Sequence, residues 1–197
     1  MLRRPFLIAV TTLAAAFALP ALAANPQVEF DTTAGKIRVE LYSDAAPKTV
    51  ANFLDYVKSK HYDGTQFHRV IPGFMIQGGG FTPDFKEKPT KSPIVIEAEQ
   101  SSKAGLMNVP GTLAMARTGD PNSATSQFFI NVADNKSLNF RSADQQGYGY
   151  TVFGKVVGGM DVVDRIAKAP TGAGGPFPKD VPAEKVIINK AVVIDAK

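Results

Sequence analysis

The chain has no cysteine. That excludes disulfides, thiol nucleophiles and thiolate metal sites together. It holds only two histidines, His61 and His68, too few for a structural transition-metal centre in a chain without thiolates. Charge is nearly balanced as well, with a net +4 and no cluster of Lys or Arg. A nucleic-acid partner, which needs a basic stripe or patch, is therefore not expected. Internal repeats and low-complexity linkers are missing. At 197 residues the chain is one domain or a small pair, and 44% hydrophobic residues suffice for a core.

The one long apolar run lies at the very start. Arg3-Arg4 gives a short positive beginning, Phe6 to Leu22 is almost wholly apolar, and Ala21-Leu22-Ala23 supplies small residues for cleavage. This is the grammar of an export signal. A membrane anchor is the rival, but Pro20 and the polar residues from Asn25 interrupt the roughly 20 apolar residues a span requires. We therefore expect a signal peptide over 1–23, a single domain over 24–197, a periplasmic location and no membrane attachment after cleavage. The segment Arg3-Arg4-Pro5-Phe6-Leu7 partly resembles a twin-arginine signal, yet a cofactor-free protein has no need of folded export, which favours general secretion. Without Arg3 and Arg4 the balance is 20 basic to 18 acidic residues.

Apolar periodicity outlines the rest. Val28 to Thr32 and Lys36 to Tyr42 alternate, with Val28, Phe30, Ile37, Val39 and Leu41 inward and a turn at Thr33-Ala34-Gly35. Pro47 suits the first turn of a helix, whose stripe is Val50, Phe53, Leu54 and Val57, closing near Lys60. Ile94-Val95-Ile96 reads as a short buried segment. Gly111 to Met115, Gln127 to Val132, Tyr150 to Val157 and Val186 to Ile194 read as strands. Met160 to Ala167 reads as a second helix, and Thr171 to Pro182 as a Gly/Pro loop. About eight strands and two helices indicate an all-β sandwich or barrel, which pattern alone does not separate.

The most informative stretch is Phe67-His-Arg-Val-Ile-Pro-Gly-Phe-Met-Ile-Gln77. Pro72-Gly73 punctuates it into strand, turn and strand. Arg69 and Gln77 then lie on flanking strands, and Phe74 and Met75 just past the turn. A second stretch, Ser126-Gln-Phe-Phe-Ile-Asn131, repeats amide plus aromatic, with Gln127 and Phe129 on one face and Phe128 and Ile130 on the other. Both put hydrogen-bond donors beside an apolar surface.

The segment Phe67 to Gly79, followed by Ser126 to Ile130, strongly resembles the cyclophilins, which are peptidyl-prolyl cis/trans isomerases. The resemblance runs from about Val28 to the C-terminus and is nearest to exported bacterial members. It implies a closed eight-stranded antiparallel β-barrel with a helix over each end. It implies a catalytic set of Arg69, Phe74 and Gln77. A substrate-binding set follows: Met75, Ala116, Arg117, Thr118, Gln127, Phe129, Leu138 and Tyr150. Substrates would be unfolded or flexible Xaa-Pro segments, with no cofactor and no metal; a monomer is expected because the sequence shows no long exposed apolar face. Three positions depart from familiar members. Arg117 stands where they carry Asn, Tyr150 where many eukaryotic members carry His, and Ser137 where those carry Trp, with Phe140 as a nearby substitute. These departures bear on cyclosporin binding more than on catalysis. The alternative is a proline-binding chaperone or scaffold with incidental turnover, which would need the apolar surface but not Arg69.

Other signals carry little. His68 adjoins Arg69, but rotation about an amide moves no proton, so packing is its expected role. Gly149 to Lys155 matches the front of a phosphate loop, yet its β-branched and aromatic interior and Val156 mark a strand. Ser126 lacks His-Asp partners, and Gly78-Gly79-Gly80 lacks dinucleotide spacing.

Overall fold

In the computed structural model, residues 25–194 are described. The expected signal peptide at 1–23 lies outside them. Strand β1 (Gln27–Thr32) and strand β2 (Gly35–Leu41) form the expected hairpin, and Val28, Phe30, Ile37, Val39 and Leu41 are completely buried. Period-2 alternation was the right signal because only one face of each strand meets the core.

Helix α1 (Pro47–Lys58) follows, with proline in its first turn and Val50, Phe53, Tyr56 and Val57 buried. Its N-terminus has no local side-chain cap. Instead Glu97, itself buried, accepts the backbone N–H groups of Lys48 (3.1 Å) and Thr49 (2.8 Å) and the Thr49 hydroxyl (2.8 Å). A carboxylate from 48 residues away thus satisfies donors that every helix leaves open at its start.

Strands β3 (Thr65–Ile71), β4 (Met75–Gly78), β5 (Thr112–Met115), β6 (Phe128–Asn131), β7 (Val152–Gly158) and β10 (Ile187–Ile194) join the first two in one closed antiparallel barrel of order β1-β10-β3-β4-β6-β5-β7-β2. Barrel, not sandwich, is the answer. Its interior is packed by aromatic rings, with Phe30 stacked on Phe128 at 5.3 Å between centroids and Phe53 against Tyr62 and Phe153 at 5.1 Å. Helix α1 follows the C-terminal end of β2. Helix α3 (Met160–Ala167) packs beside the opposite end, where Val162 faces Gly35 and the Arg165 guanidinium donates to the Ala34 carbonyl at 3.2 Å.

The structure departs from the expected elements in three places. A third helix, α2 (Ala98–Lys103), is present beyond the two expected. Six residues with only Ala98 and Ser101 buried are too few to show a helical stripe. Ile94-Val95-Ile96 is not a buried segment: Ile94 and Ile96 are half-buried, Val95 is 56% exposed, and Ile94 makes a single bridge to Ala124. The stretch read as a Gly/Pro loop contains a two-stranded hairpin, β8 (Thr171–Gly174) with β9 (Phe177–Pro182). Its Gly and Pro content hid it, since both residues weaken any strand reading. No helix among the described residues is long and apolar enough to cross a membrane.

Candidate active site

Strand pairing assembles the site. Arg69 on β3 is paired with Gln77 on β4, Gln77 with Phe129 on β6, Phe129 with Ala114 on β5, and Ala114 with Val152 on β7. One cross-strand row therefore runs through five strands, from a cation through an amide to an apolar surface. Arg117 lies just beyond the end of β5 and Tyr150 just before β7, so they stand at the far end of the row from Arg69.

Around this row lies a cleft of about 180 Å³, lined by Arg69, Phe74, Met75, Gln77, Ala116, Arg117, Phe129, Leu138 and Tyr150. Met75 and Phe129 form a buried floor, over an apolar cluster that includes Ala114 and Val152. Phe74 and Leu138 rise half-buried from it, and Tyr150 meets Phe129 edge to face at 5.6 Å. Met75 is almost wholly buried. It supplies the base of the cleft and Phe74 its wall.

The polar edge is a chain of amides. The exposed Arg69 guanidinium donates to Gln77 Oε1 at 3.3 Å, and Gln77 Nε2 donates to Gln127 Oε1 at 3.0 Å. Gln127 lies against Gly80, where a Cβ would stand 2.6 Å from its side chain, so a larger residue there would push the carboxamide aside. Arg69 keeps most of its five donors free for a ligand. Gln127 is not itself among the lining residues and borders the cleft through Gln77. Thr118 is also outside the lining. Its N–H donates to the Ser123 hydroxyl oxygen at 2.9 Å, within the turn that follows β5.

Arg117 is held differently. Its Nε donates to the Gly149 carbonyl at 2.9 Å, its Nη1 to the Thr118 carbonyl at 2.8 Å, and its guanidinium lies 4.7 Å from the Tyr150 ring centroid. Gly149 has φ +61, and an added Cβ would fall 2.4 Å from the Leu138 carbonyl oxygen. That glycine lets the Leu138 segment approach β7, where Tyr150 N–H donates to the same carbonyl at 2.9 Å. Ser137 is exposed, and Phe140 packs on Tyr148 at 6.1 Å, outside the lining, rather than standing in for a wall.

Three buried asparagines escaped the sequence reading. Asn135 Nδ2 donates to the Phe74 carbonyl (2.8 Å) and to Asn131 Oδ1 (2.6 Å), Asn131 Nδ2 to Asn108 Oδ1 (3.1 Å), and Asn108 Nδ2 to the Leu138 carbonyl (3.0 Å). The relay ties the Phe74 wall to the Leu138 wall from beneath. The available signal was Asn131, a polar residue ending the apolar run Phe128-Phe129-Ile130.

The histidines lie outside the cleft. His68 is buried against Phe81 (4.7 Å) and Phe177 (5.5 Å), which pushes its pKa down to about 4, with a minor push from neighbouring Arg69. His61 donates from Nε2 to the Gly79 carbonyl at 3.2 Å, and burial, then Lys88, lowers its pKa. Neither lines the cleft. Among the described residues no group of His, Asp and Glu is placed to hold a metal.

The class these residues define is a closed antiparallel β-barrel with an apolar cleft edged by an arginine and a glutamine. Residues 27–193 match the family described as cyclophilin type peptidyl-prolyl cis-trans isomerase/CLD. Peptidyl-prolyl cis-trans isomerase B of Escherichia coli (strain K12) is 55% identical over 166 residues, covering 84% of this chain and 98% of that protein. Peptidyl-prolyl cis-trans isomerase A of Dickeya dadantii (strain 3937) is 47% identical over 196 residues, 98% of this chain and 99% of its own. A Cryptosporidium parvum cyclophilin type isomerase, solved in the presence of the dipeptide Ala-Pro, superposes with a TM-score of 0.67 at 27% identity, covering 86% of this chain and 99% of that one. The chain belongs to the cyclophilin type peptidyl-prolyl cis-trans isomerases. It is an isomerase that accelerates rotation about the Xaa-Pro bond.

Proposed function

We propose that the proline ring of the substrate rests on Met75 and Phe129 between Phe74 and Leu138, with the Arg69 guanidinium at the prolyl nitrogen. Rotation about an amide meets a barrier of roughly 18–20 kcal/mol because it breaks C–N resonance. Uncatalysed exchange of Xaa-Pro takes tens to hundreds of seconds. As the bond twists, the nitrogen regains a lone pair and accepts a hydrogen bond. A donor fixed there favours the twisted state over both planar ones, which is differential binding of the transition state. Gln77 aims the guanidinium and Gln127 offers its carboxamide to the substrate backbone. Ala116, Arg117 and Thr118 flank the residue before proline, and Tyr150 closes the side. No proton moves, which agrees with histidines outside the cleft.

The observation that carries this reading is the pairing of Arg69 with Gln77 at the lip of the apolar cleft. The substrates are unfolded or flexible Xaa-Pro segments, no cofactor is used, and the protein works as a monomer. Residues 1–23 direct export and are removed after Ala23, which puts the enzyme in the periplasm, where folding proteins meet no ATP. The test is cis-to-trans exchange of a short Xaa-Pro peptide with protein from residue 24 onward, beside Arg69→Ala. Exchange should fall about 10²–10³-fold in the variant, the scale of losing one transition-state donor, while peptide affinity changes only a few-fold. Equal exchange by both proteins, with peptide still bound, would instead favour a proline-binding scaffold.

A further inference from the structure

Two of the nine residues lining the cleft are arginines and none is acidic. Among the described residues, neither Arg69 nor Arg117 is in an ion pair. The two cations stand at opposite ends of the cross-strand row. From β3 to β5 is three strand spacings, about 14 Å between backbones, a gap shared by the Arg69 side chain, one proline ring and the side chain of an adjoining residue. One proline therefore cannot occupy both ends. With the ring beside Arg69, a neighbouring residue of the substrate falls to Arg117.

Arg117 is prepared for an anion. Two carbonyls and the Tyr150 ring fix its plane, so little rotamer freedom remains to be lost when a ligand binds. Those contacts use Nε and one N–H of Nη1, leaving three of the five guanidinium donors. A planar fork with free donors matches a carboxylate, and matches a neutral amide poorly. We infer that Arg117 selects substrates with an acidic residue, Glu or Asp, immediately before the proline. This rests on the placement of proline beside Arg69 and of the preceding residue beside Ala116 to Thr118.

The experiment compares catalysed exchange, by NMR, of Ala-Glu-Pro-Phe with its neutral isostere Ala-Gln-Pro-Phe, and of Ala-Ala-Pro-Glu with Ala-Ala-Pro-Gln. Each is corrected for its own uncatalysed rate, and ratios are taken within one protein so that a general loss cancels. We expect kcat/KM about five- to tenfold higher for Glu-Pro than Gln-Pro at low ionic strength, the scale of a partly exposed charge-assisted pair. The ratio should shrink in 0.5 M salt, as screening requires (Debye length about 4 Å there), and approach one in Arg117→Gln. A ratio of one in the wild type overturns the inference. So does a ratio that survives Arg117→Gln, which would trace it to Arg69, or a preference expressed after the proline instead. Acceleration of Ala-Ala-Pro-Phe without a Glu preference leaves the placement of proline standing and removes only the selectivity. No acceleration of any peptide overturns both.

Discussion

Arg69 and Gln77 face each other across one ladder position of β3 and β4, and the guanidinium donates to the carboxamide at 3.3 Å. Gln77 in turn donates to Gln127 at 3.0 Å. The amide is thus oriented from one side and orients the cation on the other.

Gln77→Leu keeps the volume but removes the acceptor that aims Arg69. kcat should fall about tenfold, close to 1.4 kcal/mol of transition-state stabilisation, with KM changed little. The melting temperature should stay within a few degrees, since the side chain is only half-buried. A rise in KM at constant kcat would show that Gln77 holds substrate instead of aiming Arg69.

Asn135→Ala should be costly. It leaves the buried Asn131 Oδ1 without its donor and takes one of two donors from the Phe74 carbonyl, which keeps the Val132 N–H at 3.0 Å; an unsatisfied buried group costs about 1–3 kcal/mol. Thermal unfolding should move down by roughly 2–12 °C. Below the new transition KM should rise, because the Phe74 wall has lost the side-chain half of its tether. A variant with unchanged stability and KM would remove the asparagine relay from the account of the cleft.

Glu97→Ala opens the N-terminus of α1. Three hydrogen bonds to a buried carboxylate disappear, and loss of a helix cap costs about 0.5–2 kcal/mol before burial is counted. We expect about 2–3 kcal/mol from urea unfolding and normal kcat/KM at 25 °C, since the cap is not part of the cleft. Glu97→Gln should recover part of the loss, because an amide oxygen still accepts.

His68 makes stability depend on pH. Its pKa is about 6.5 unfolded and is held to about 4 by burial in the fold, so the unfolded chain binds the proton first as pH falls. The contribution is intact above pH 6.5 and is lost progressively down to about pH 4, about 3 kcal/mol at the limit. Urea unfolding of wild type and His68→Phe across pH 4–7 should show the wild type losing ground to the variant on acidification. Parallel curves would mean that His68 reaches solvent. kcat/KM should stay flat from pH 6 to 8, as no proton is transferred.

Much of this protein is legible locally. Alternation at Val28, Phe30, Ile37, Val39 and Leu41 and the stripe of α1 follow from single-element periodicity. The cleft is legible because Phe67 to Gln77 holds both strands of one hairpin, so that Arg69, Gln77 and Phe74 are neighbours in sequence and in space. What stayed hidden depends on distant partners. Glu97 caps a helix 48 residues earlier, and Asn135 supports a carbonyl 61 residues earlier; no window of sequence contains both ends. The β8–β9 hairpin was hidden for another reason. Phe177 earns its place by covering His68, a tertiary contact that overrides three glycines and three prolines between Thr171 and Pro182.

The barrel is sealed by β10, which lies between β1 and β3. The segment made last is therefore the one that joins the segment made first to the strand bearing Arg69. Until residues 187–194 are present, β1 and β3 each carry an open hydrogen-bonding edge, ready to recruit another chain. An emerging or half-delivered molecule cannot finish itself piecemeal. The isomerase has to wait for its own eight-residue last strand, and removal of that strand should promote aggregation before it dulls the active cleft.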